Sequence, residues 1–68
     1  MNVRLNGEWQ ELADGATVAD AVASLGVPLD ARGVAVAVDR EVVRRGAWAK
    51  TALAAGASVE ILTAIQGG

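Results

Sequence analysis

The chain has neither cysteine nor histidine among its 68 residues, and this double absence constrains its fold more than any other feature. A domain shorter than roughly 70–80 residues often needs disulfides, a metal site or a partner for its stability. Without Cys and His, this chain forms no disulfide and lacks the usual ligands of zinc and other transition metals. It must depend on packing, and its composition is 53% hydrophobic. We therefore expect one lightly built domain, over residues 1–68, with a thin core.

The same absences limit the chemistry that the chain can perform. A Cys thiolate and a His imidazole are common catalytic groups, and the chain also lacks Tyr. A domain of this size leaves little room for a deep substrate pocket. The sequence therefore predicts a protein that does not act as an enzyme by itself.

Charge and hydropathy exclude two further classes of partner. The net charge is −2, and no basic stripe of the kind that binds nucleic acid is present. Charged residues or glycines interrupt every apolar run before it reaches the length of a membrane span. The first residues lack the apolar region of a signal peptide. We expect a cytoplasmic protein that binds neither nucleic acid nor membrane.

Two short alternating segments at the start of the chain predict a β-hairpin. Residues 1–5 alternate apolar and polar side chains, which is the period of a half-buried strand. Asn6-Gly7 follows, and both residue types tolerate the positive φ that a two-residue hairpin turn requires. Residues 8–12 then form the predicted returning strand.

The next segment predicts a short amphipathic helix over residues 18–25. Thr17 suits the N-cap position, and Asp20 follows at the spacing of a capping box. Gly26 is suited to end the helix in the left-handed conformation. The predicted buried face consists of apolar residues at helical spacing: Val18, Ala21, Val22 and Leu25.

A second hairpin is predicted in the middle of the chain. Gly33–Val38 carries Val at alternate positions, and Asp39-Arg40 can form a tight turn into Glu41–Arg44. Charged side chains in this last segment suit the edge of a sheet. In the connection that follows, Trp48 and Leu53 are predicted to anchor a loop or short helical turn over the core.

The last predicted strand is Ser58–Ile65, which gives the order β-β-α-β-β-β. A single helix covers only one face of a small sheet. The first and last strands are predicted to lie side by side in parallel, which requires a crossover connection. The expected fold is therefore α+β, a ubiquitin-like β-grasp: a small mixed sheet with one helix packed on one face. The two faces of the last strand are Val59, Ile61, Thr63 and Ile65 on one side, and Glu60, Leu62 and Ala64 on the other.

Beyond this strand the chain ends on Gln66-Gly67-Gly68. Glycine loses the most backbone entropy on ordering, so a Gly-Gly end is expected to be flexible. An arm without side chains can enter a narrow channel, and the four residues from Ile65 to Gly68 span about 13 Å when extended. We predict a tail over residues 66–68 whose reactive group is the C-terminal carboxylate.

These segments together resemble the ThiS family, the ubiquitin-like sulfur carriers of thiamine biosynthesis, and the resemblance covers the whole chain. Two positions depart from the common pattern: Ala57 stands where the family often has Asp, and Asp39 where it commonly has Asn. Both lie in turns and leave the tail unaffected. The matching segments, in chain order, are Met1–Gly7, Thr17–Asp20, Val36–Val43, Trp48, Leu53–Gly56 and Val59–Gly68.

The resemblance implies that the chain is a protein co-substrate. An adenylating enzyme of the ubiquitin-activating type would activate Gly68 with ATP and Mg²⁺, so the chain itself would bind no cofactor or metal. A persulfide donor would supply sulfur to form a thiocarboxylate, and thiazole synthase would receive that sulfur. Ile65, Gln66 and Gly67 would be the tail residues that these partners recognise.

The sheet face opposite the helix is the candidate docking surface. Leu62 and Ala64 are predicted to lie there beside the tail, with Arg4 near them on the adjacent strand. An apolar patch next to a reactive arm suits a partner contact. Scattered exposed apolar residues are also common in proteins without partners, so the role of Leu62 stays open at this stage.

Three other functions remain compatible with the sequence. The small subunit of molybdopterin synthase has a similar fold and Gly-Gly chemistry. A ubiquitin-like modifier would join its carboxylate to lysines of target proteins. A structural β-grasp adaptor would have an inert tail, and its function would survive deletion of Gly67 and Gly68.

Overall fold

The computed structural model describes residues 1–64. It contains one α-helix, α1 (Val18–Ser24), and a 3₁₀ helix over Arg45–Lys50. The predicted order β-β-α-β-β-β is confirmed, with the 3₁₀ helix between the fourth and fifth strands. The strands are β1 (Asn2–Leu5), β2 (Glu8–Glu11), β3 (Val34–Val38), β4 (Glu41–Val43) and β5 (Ser58–Thr63).

The five strands form one mixed sheet in the order β2-β1-β5-β3-β4. β1 and β5 run parallel, with Arg4 beside Ser58 and Leu5 beside Val59, as predicted. The other neighbouring strands are antiparallel, and β4 lies at an edge. α1 provides the crossover between the first hairpin and the rest of the sheet. This arrangement is the predicted β-grasp.

The core lies between the sheet and the layer formed by α1 and the 3₁₀ helix. Trp48 is buried, and its indole Nε1 donates a hydrogen bond of 2.8 Å to the Val43 carbonyl. The prediction that Trp48 and Leu53 anchor this connection is therefore confirmed. The buried residues of the core are Val3, Leu5, Val18, Ala21, Val22, Val36, Trp48, Leu53, Ala57, Val59 and Ile61.

The start of α1 follows the prediction, whereas its end does not. Thr17 and Asp20 form both hydrogen bonds of the capping box. The helix ends at Ser24, one residue early, and Leu25 is 42% exposed rather than buried. Leu25 is the C-cap, with a φ of −87° and a ψ of 3°, so the helical backbone ends at this position and does not continue the line of Val18 and the other buried helix residues. The Leu25 backbone N–H donates a hydrogen bond to a carbonyl in the last turn of the helix, and Gly26 follows with a φ of +77°.

Strand boundaries differ from the prediction in all five strands. β1 begins at Asn2 and β2 ends at Glu11, each one residue inside the predicted segment. Gly33 lies outside β3 because its φ of +73° is left-handed and cannot continue an extended strand. β4 ends at Val43, since Arg44 is already the N-cap of the 3₁₀ helix. β5 ends at Thr63. The predicted position of Ile65 on the core side lies outside the described residues.

No helix within residues 1–64 is long and apolar enough to cross a membrane.

Candidate functional site

The side of the sheet that faces away from α1, called the open face below, is not covered by any helix within residues 1–64. Side chains alternate between the two sides of a strand. Val3 and Leu5 are buried toward the helix, so Arg4 between them projects to the opposite side. Strand pairing extends this assignment across the sheet. The open face consists of Asn2, Arg4, Trp9, Glu11, Ala35, Ala37, Val42, Ser58, Glu60 and Leu62.

Leu62 lies on the open face near the end of β5. Its side chain is 65% exposed, whereas the neighbouring Ile61 is buried in the core. Leu62 pairs with Ala35 on β3, whose small side chain leaves it prominent. The predicted location of Leu62 therefore agrees with the structure. Its role in docking stays a prediction.

Arg4 lies on β1 and packs against Trp9 of β2, its partner across the hairpin. The guanidinium carbon is 5.7 Å from the centre of the Trp9 ring, which is within cation–π range. The Trp9 ring is nevertheless 63% exposed. The pair therefore presents both a positive charge and a broad aromatic surface on the open face.

A shallow depression connects Arg4 with Leu62. It lies over β1, β5 and the first hairpin turn, and both Arg4 and Leu62 line it. Ala64 does not contribute to this depression. The lining residues are Arg4, Asn6, Gly7, Ser58, Glu60, Ile61 and Leu62.

Ala64 is exposed and is the last residue that the structure describes. Its backbone N–H donates a hydrogen bond of 2.7 Å to the Gly33 carbonyl, which extends the contact between the two chain segments beyond β5. The predicted tail residues Ile65, Gln66, Gly67 and Gly68 lie outside the described residues, as does the predicted flexibility of the tail.

Trp9 and Val42 belong to the open face, and the sequence analysis did not assign either of them to a site. Val42 is 81% exposed and pairs with Ala37. The sequence contained the signal for Trp9. A two-residue Asn-Gly turn fixes the register of the hairpin, so Arg4 must lie opposite Trp9. Once Val3 and Leu5 are assigned to the core, Trp9 falls on the other side.

Asn6 is a third residue whose contribution was not predicted from the sequence. Its side-chain Nδ2 donates to the Ile61 carbonyl at 3.1 Å, and its Oδ1 accepts from the Ile61 N–H at 2.7 Å. The two bonds join the turn of the first hairpin to the second half of β5. The turn prediction used only the tolerance of Asn for positive φ, and Asn6 does have a φ of 51°.

No cluster of three or more carboxylates that could hold a metal ion occurs within residues 1–64. The open face combines apolar and charged groups without a deep cavity, and such a surface suits contact with another protein.

Together, the mixed sheet, the covering helix α1 and the open face define a ubiquitin-like β-grasp protein. The ThiS family matches residues 3–68. The chain therefore belongs to the ThiS family, and the resemblance found in its sequence is confirmed. This membership supports a role as a small sulfur carrier.

Two solved structures are similar to the chain over its whole length. The crystal structure of the thiamine biosynthesis protein (ThiS) from Geobacter metallireducens is 31% identical and has a TM-score of 0.79, with both chains fully covered. The NMR solution structure of a thiamine biosynthesis protein from Geobacter metallireducens is also 31% identical. It has a TM-score of 0.80, with 100% of this chain and 88% of that chain covered. No curated protein matches the chain.

Proposed function

We propose that the chain is a sulfur carrier of thiamine biosynthesis and that the carboxylate of Gly68 carries the sulfur. The observation that carries this proposal is the family match, which extends to residue 68 and so includes Gln66, Gly67 and Gly68. The two similar structures, named as thiamine biosynthesis proteins, support the same pathway. The chain is then a protein co-substrate, and the catalytic residues belong to its partners.

The chemistry begins with activation, because a carboxylate is a poor electrophile until one of its oxygens becomes part of a good leaving group. An adenylating enzyme of the ubiquitin-activating type binds ATP and Mg²⁺. The Gly68 carboxylate attacks the α-phosphate, pyrophosphate leaves, and an acyl-adenylate forms. This chain contributes the nucleophilic carboxylate and needs no cofactor of its own.

Sulfur transfer follows at the carbonyl carbon of Gly68. The terminal sulfur of a cysteine-derived persulfide attacks this carbon, AMP leaves, and an acyl disulfide forms. A second thiol then attacks the disulfide, which releases the thiocarboxylate and leaves a disulfide on the donor side. Thiazole synthase is the proposed acceptor of the sulfur.

The open face supplies the docking surface in this proposal. Leu62 gives an exposed apolar contact close to the end of β5, and Arg4 with Trp9 gives a charged and aromatic contact on the neighbouring strands. Large aromatic residues and Arg are enriched in protein interfaces. Ala64 leads directly into the tail, where Ile65, Gln66 and Gly67 are the proposed recognition residues for the enzyme channel.

Intact-mass spectrometry tests the proposal directly. The chain is incubated with ATP, Mg²⁺, the adenylating enzyme of its own organism and a persulfide donor. We expect a mass gain equal to the replacement of one oxygen by sulfur. A matched variant without Gly68 should show no gain, although its folded domain is otherwise unchanged.

The products also separate the alternatives. A conjugate with a target protein would identify a ubiquitin-like modifier, and sulfur transfer to a pterin precursor rather than to a thiazole precursor would identify a molybdopterin synthase subunit. An unchanged mass, with the enzyme active on another carrier, would contradict the proposal and favour an adaptor with an inert tail.

A further inference from the structure

The outer end of β5 loses its regular neighbour on the β1 side. β1 pairs with β5 through Arg4 and Leu5, and the last backbone bond of this pair joins the Asn6 N–H to the Val59 carbonyl at 2.9 Å. The chain then reverses at Asn6-Gly7. Main-chain pairing from β1 therefore stops before Ile61, although β5 continues to Thr63.

The side chain of Asn6 replaces the missing neighbour. A carboxamide has one acceptor and one donor group, so it can bind the N–H and the carbonyl of one residue together, as a strand does. Asn6 binds Ile61 in this way at 2.7 and 3.1 Å. Both bonds are partly buried. These side-chain bonds extend the contact along β5 to Ile61, beyond Val59, which accepts the last backbone bond from the β1 side.

Gly33 holds the same end of β5 from the β3 side. Its carbonyl accepts the Ala64 N–H at 2.7 Å. A Cβ at Gly33 would lie 2.7 Å from the Ala64 Cβ, closer than two side-chain carbons can pack. Gly33 also has a φ of +73°, which favours glycine. The absence of a side chain at Gly33 therefore permits the close approach of Ala64.

We propose that Asn6 and Gly33 are positioning residues that fix the end of β5 from its two sides and thereby set where the reactive tail begins. The inference rests on the proposed function, because it concerns delivery of Gly68 to the adenylating enzyme. Within residues 1–64, Ile61 and Ala64 are the held points nearest the tail when the open face docks. Release of Ile61 or Ala64 would add residues to the segment that the partner must order before the reaction. Gly33 lies outside the docking depression, so its effect is expected on the chemical step rather than on partner affinity, whereas Asn6 also lines that depression.

Two variants remove the two contacts separately. Asn6→Gly retains the turn, because glycine accepts the positive φ of this position, and deletes both bonds to Ile61. Gly33→Ala introduces the methyl group that Ala64 excludes. Asn6→Asp is the conservative comparison, since a carboxylate still accepts the Ile61 N–H but repels the Ile61 carbonyl. We expect its effect to be smaller than that of Asn6→Gly.

The experiment is steady-state adenylation with the adenylating enzyme of the same organism, measured by pyrophosphate release. For Asn6→Gly and Gly33→Ala we expect kcat to fall about 10-fold or more. In Gly33→Ala, which lies outside the docking depression, KM for the carrier should change less than about two-fold. Amide exchange should be faster at Ile61 in the first variant and at Ala64 in the second. The control is Ala23→Gly, which weakens α1 at an exposed position without touching β5 and should leave kcat unchanged.

The outcomes separate this inference from the proposed function. Normal adenylation of the wild-type chain with unchanged kcat in both variants would overturn the inference alone, and so would an equal fall in kcat for Ala23→Gly. If one variant does not fold, the kcat and the exchange of the other still decide. Failure of the wild-type chain to accept AMP would overturn the proposed function and this inference with it.

Discussion

Replacement of Leu62 by Ala tests whether the open face binds the adenylating enzyme. Leu62 is 65% exposed, so most of its apolar surface is available to a partner. Complete burial of a Leu side chain contributes about 1.5–3 kcal/mol. Covering the exposed part of Leu62 would therefore contribute about 1–2 kcal/mol to the complex. We therefore expect the Leu62→Ala variant to bind the adenylating enzyme with a dissociation constant about 5–30-fold higher than that of the unmodified chain.

The assay is titration calorimetry of the folded variant against the adenylating enzyme. The domain itself should lose only about 0.5–1 kcal/mol of stability, because just the smaller, buried part of the side chain loses contacts within the fold. Thermal unfolding measures this loss separately. The two effects can therefore be distinguished in one protein.

Leu25→Ala is the matched control. Leu25 is 42% exposed and is the C-cap of α1, the element that covers the opposite side of the sheet. Its truncation removes a similar apolar group from a surface that is not proposed to dock. We expect the dissociation constant to change less than about two-fold. Equal weakening by both variants, or unchanged binding of Leu62→Ala, would refute the assignment of the docking surface to the open face.

Three further predictions concern the fold that supports this surface. Arg40→Gly should raise stability by about 0.5–1 kcal/mol. Arg40 has a φ of 73°, and for a non-glycine residue the steric cost of this φ exceeds the greater entropy that glycine loses on folding. Thermal unfolding measures the change, and equal stabilisation by Arg44→Gly, where φ is −67°, would contradict the prediction. Thr17→Ala should lower stability by about 1 kcal/mol through loss of the capping box, and denaturant unfolding that detects no loss would argue against this role. Val59→Ala should cost about 2–3 kcal/mol by opening a cavity beneath the central strand, whereas Val42→Ala, at an exposed position, should change stability by less than about 0.5 kcal/mol. Similar unfolding midpoints for the two Val variants would contradict the location of the core.

The sequence predicted the architecture well because several local signals agree. The alternation in residues 1–5, the Asn6-Gly7 turn and the Thr17 capping box each specify one element, and each is present in the structure. The position of β1 beside β5 followed from a global requirement, since a sheet with one crossover helix brings parallel strands together. Consistency between local and global preferences is characteristic of sequences that fold to one structure.

Leu25 shows where periodicity alone misleads. Its spacing from Val18, Ala21 and Val22 continues the apolar stripe of the helix. A stripe predicts burial only while the backbone stays helical, and Leu25 is already the C-cap. Gly26 signalled a stop at this place, but the exact boundary depends on capping geometry that periodicity does not contain.

The contacts at the end of β5 were beyond local pattern analysis. Asn6 and Ile61 are 55 residues apart, and Gly33 meets Ala64 only because of the register between β3 and β5. Each residue has an adequate local explanation, a turn for Asn6 and a flexible connection for Gly33. Their additional contacts become visible only when the strand order is known. Positions with one sufficient local role can thus hide a second, long-range role.

Asp39 stands in the turn between β3 and β4, at a position where Asn is common in the family. The contacts of the Asp39 turn and of the Asn6 turn show why Asp is suitable at the first of them. Asp39 donates its backbone N–H to the Ser58 carbonyl at 2.8 Å, and its Oδ1 accepts the Ser58 N–H at 3.0 Å. The side chain therefore needs only an acceptor, which a carboxylate provides as well as a carboxamide does. The backbone N–H of Asn6 is already bonded to Val59, so its side chain must supply both the donor and the acceptor for Ile61. Only the carboxamide satisfies both requirements, and the two ends of β5 consequently place different chemical demands on turns of the same kind.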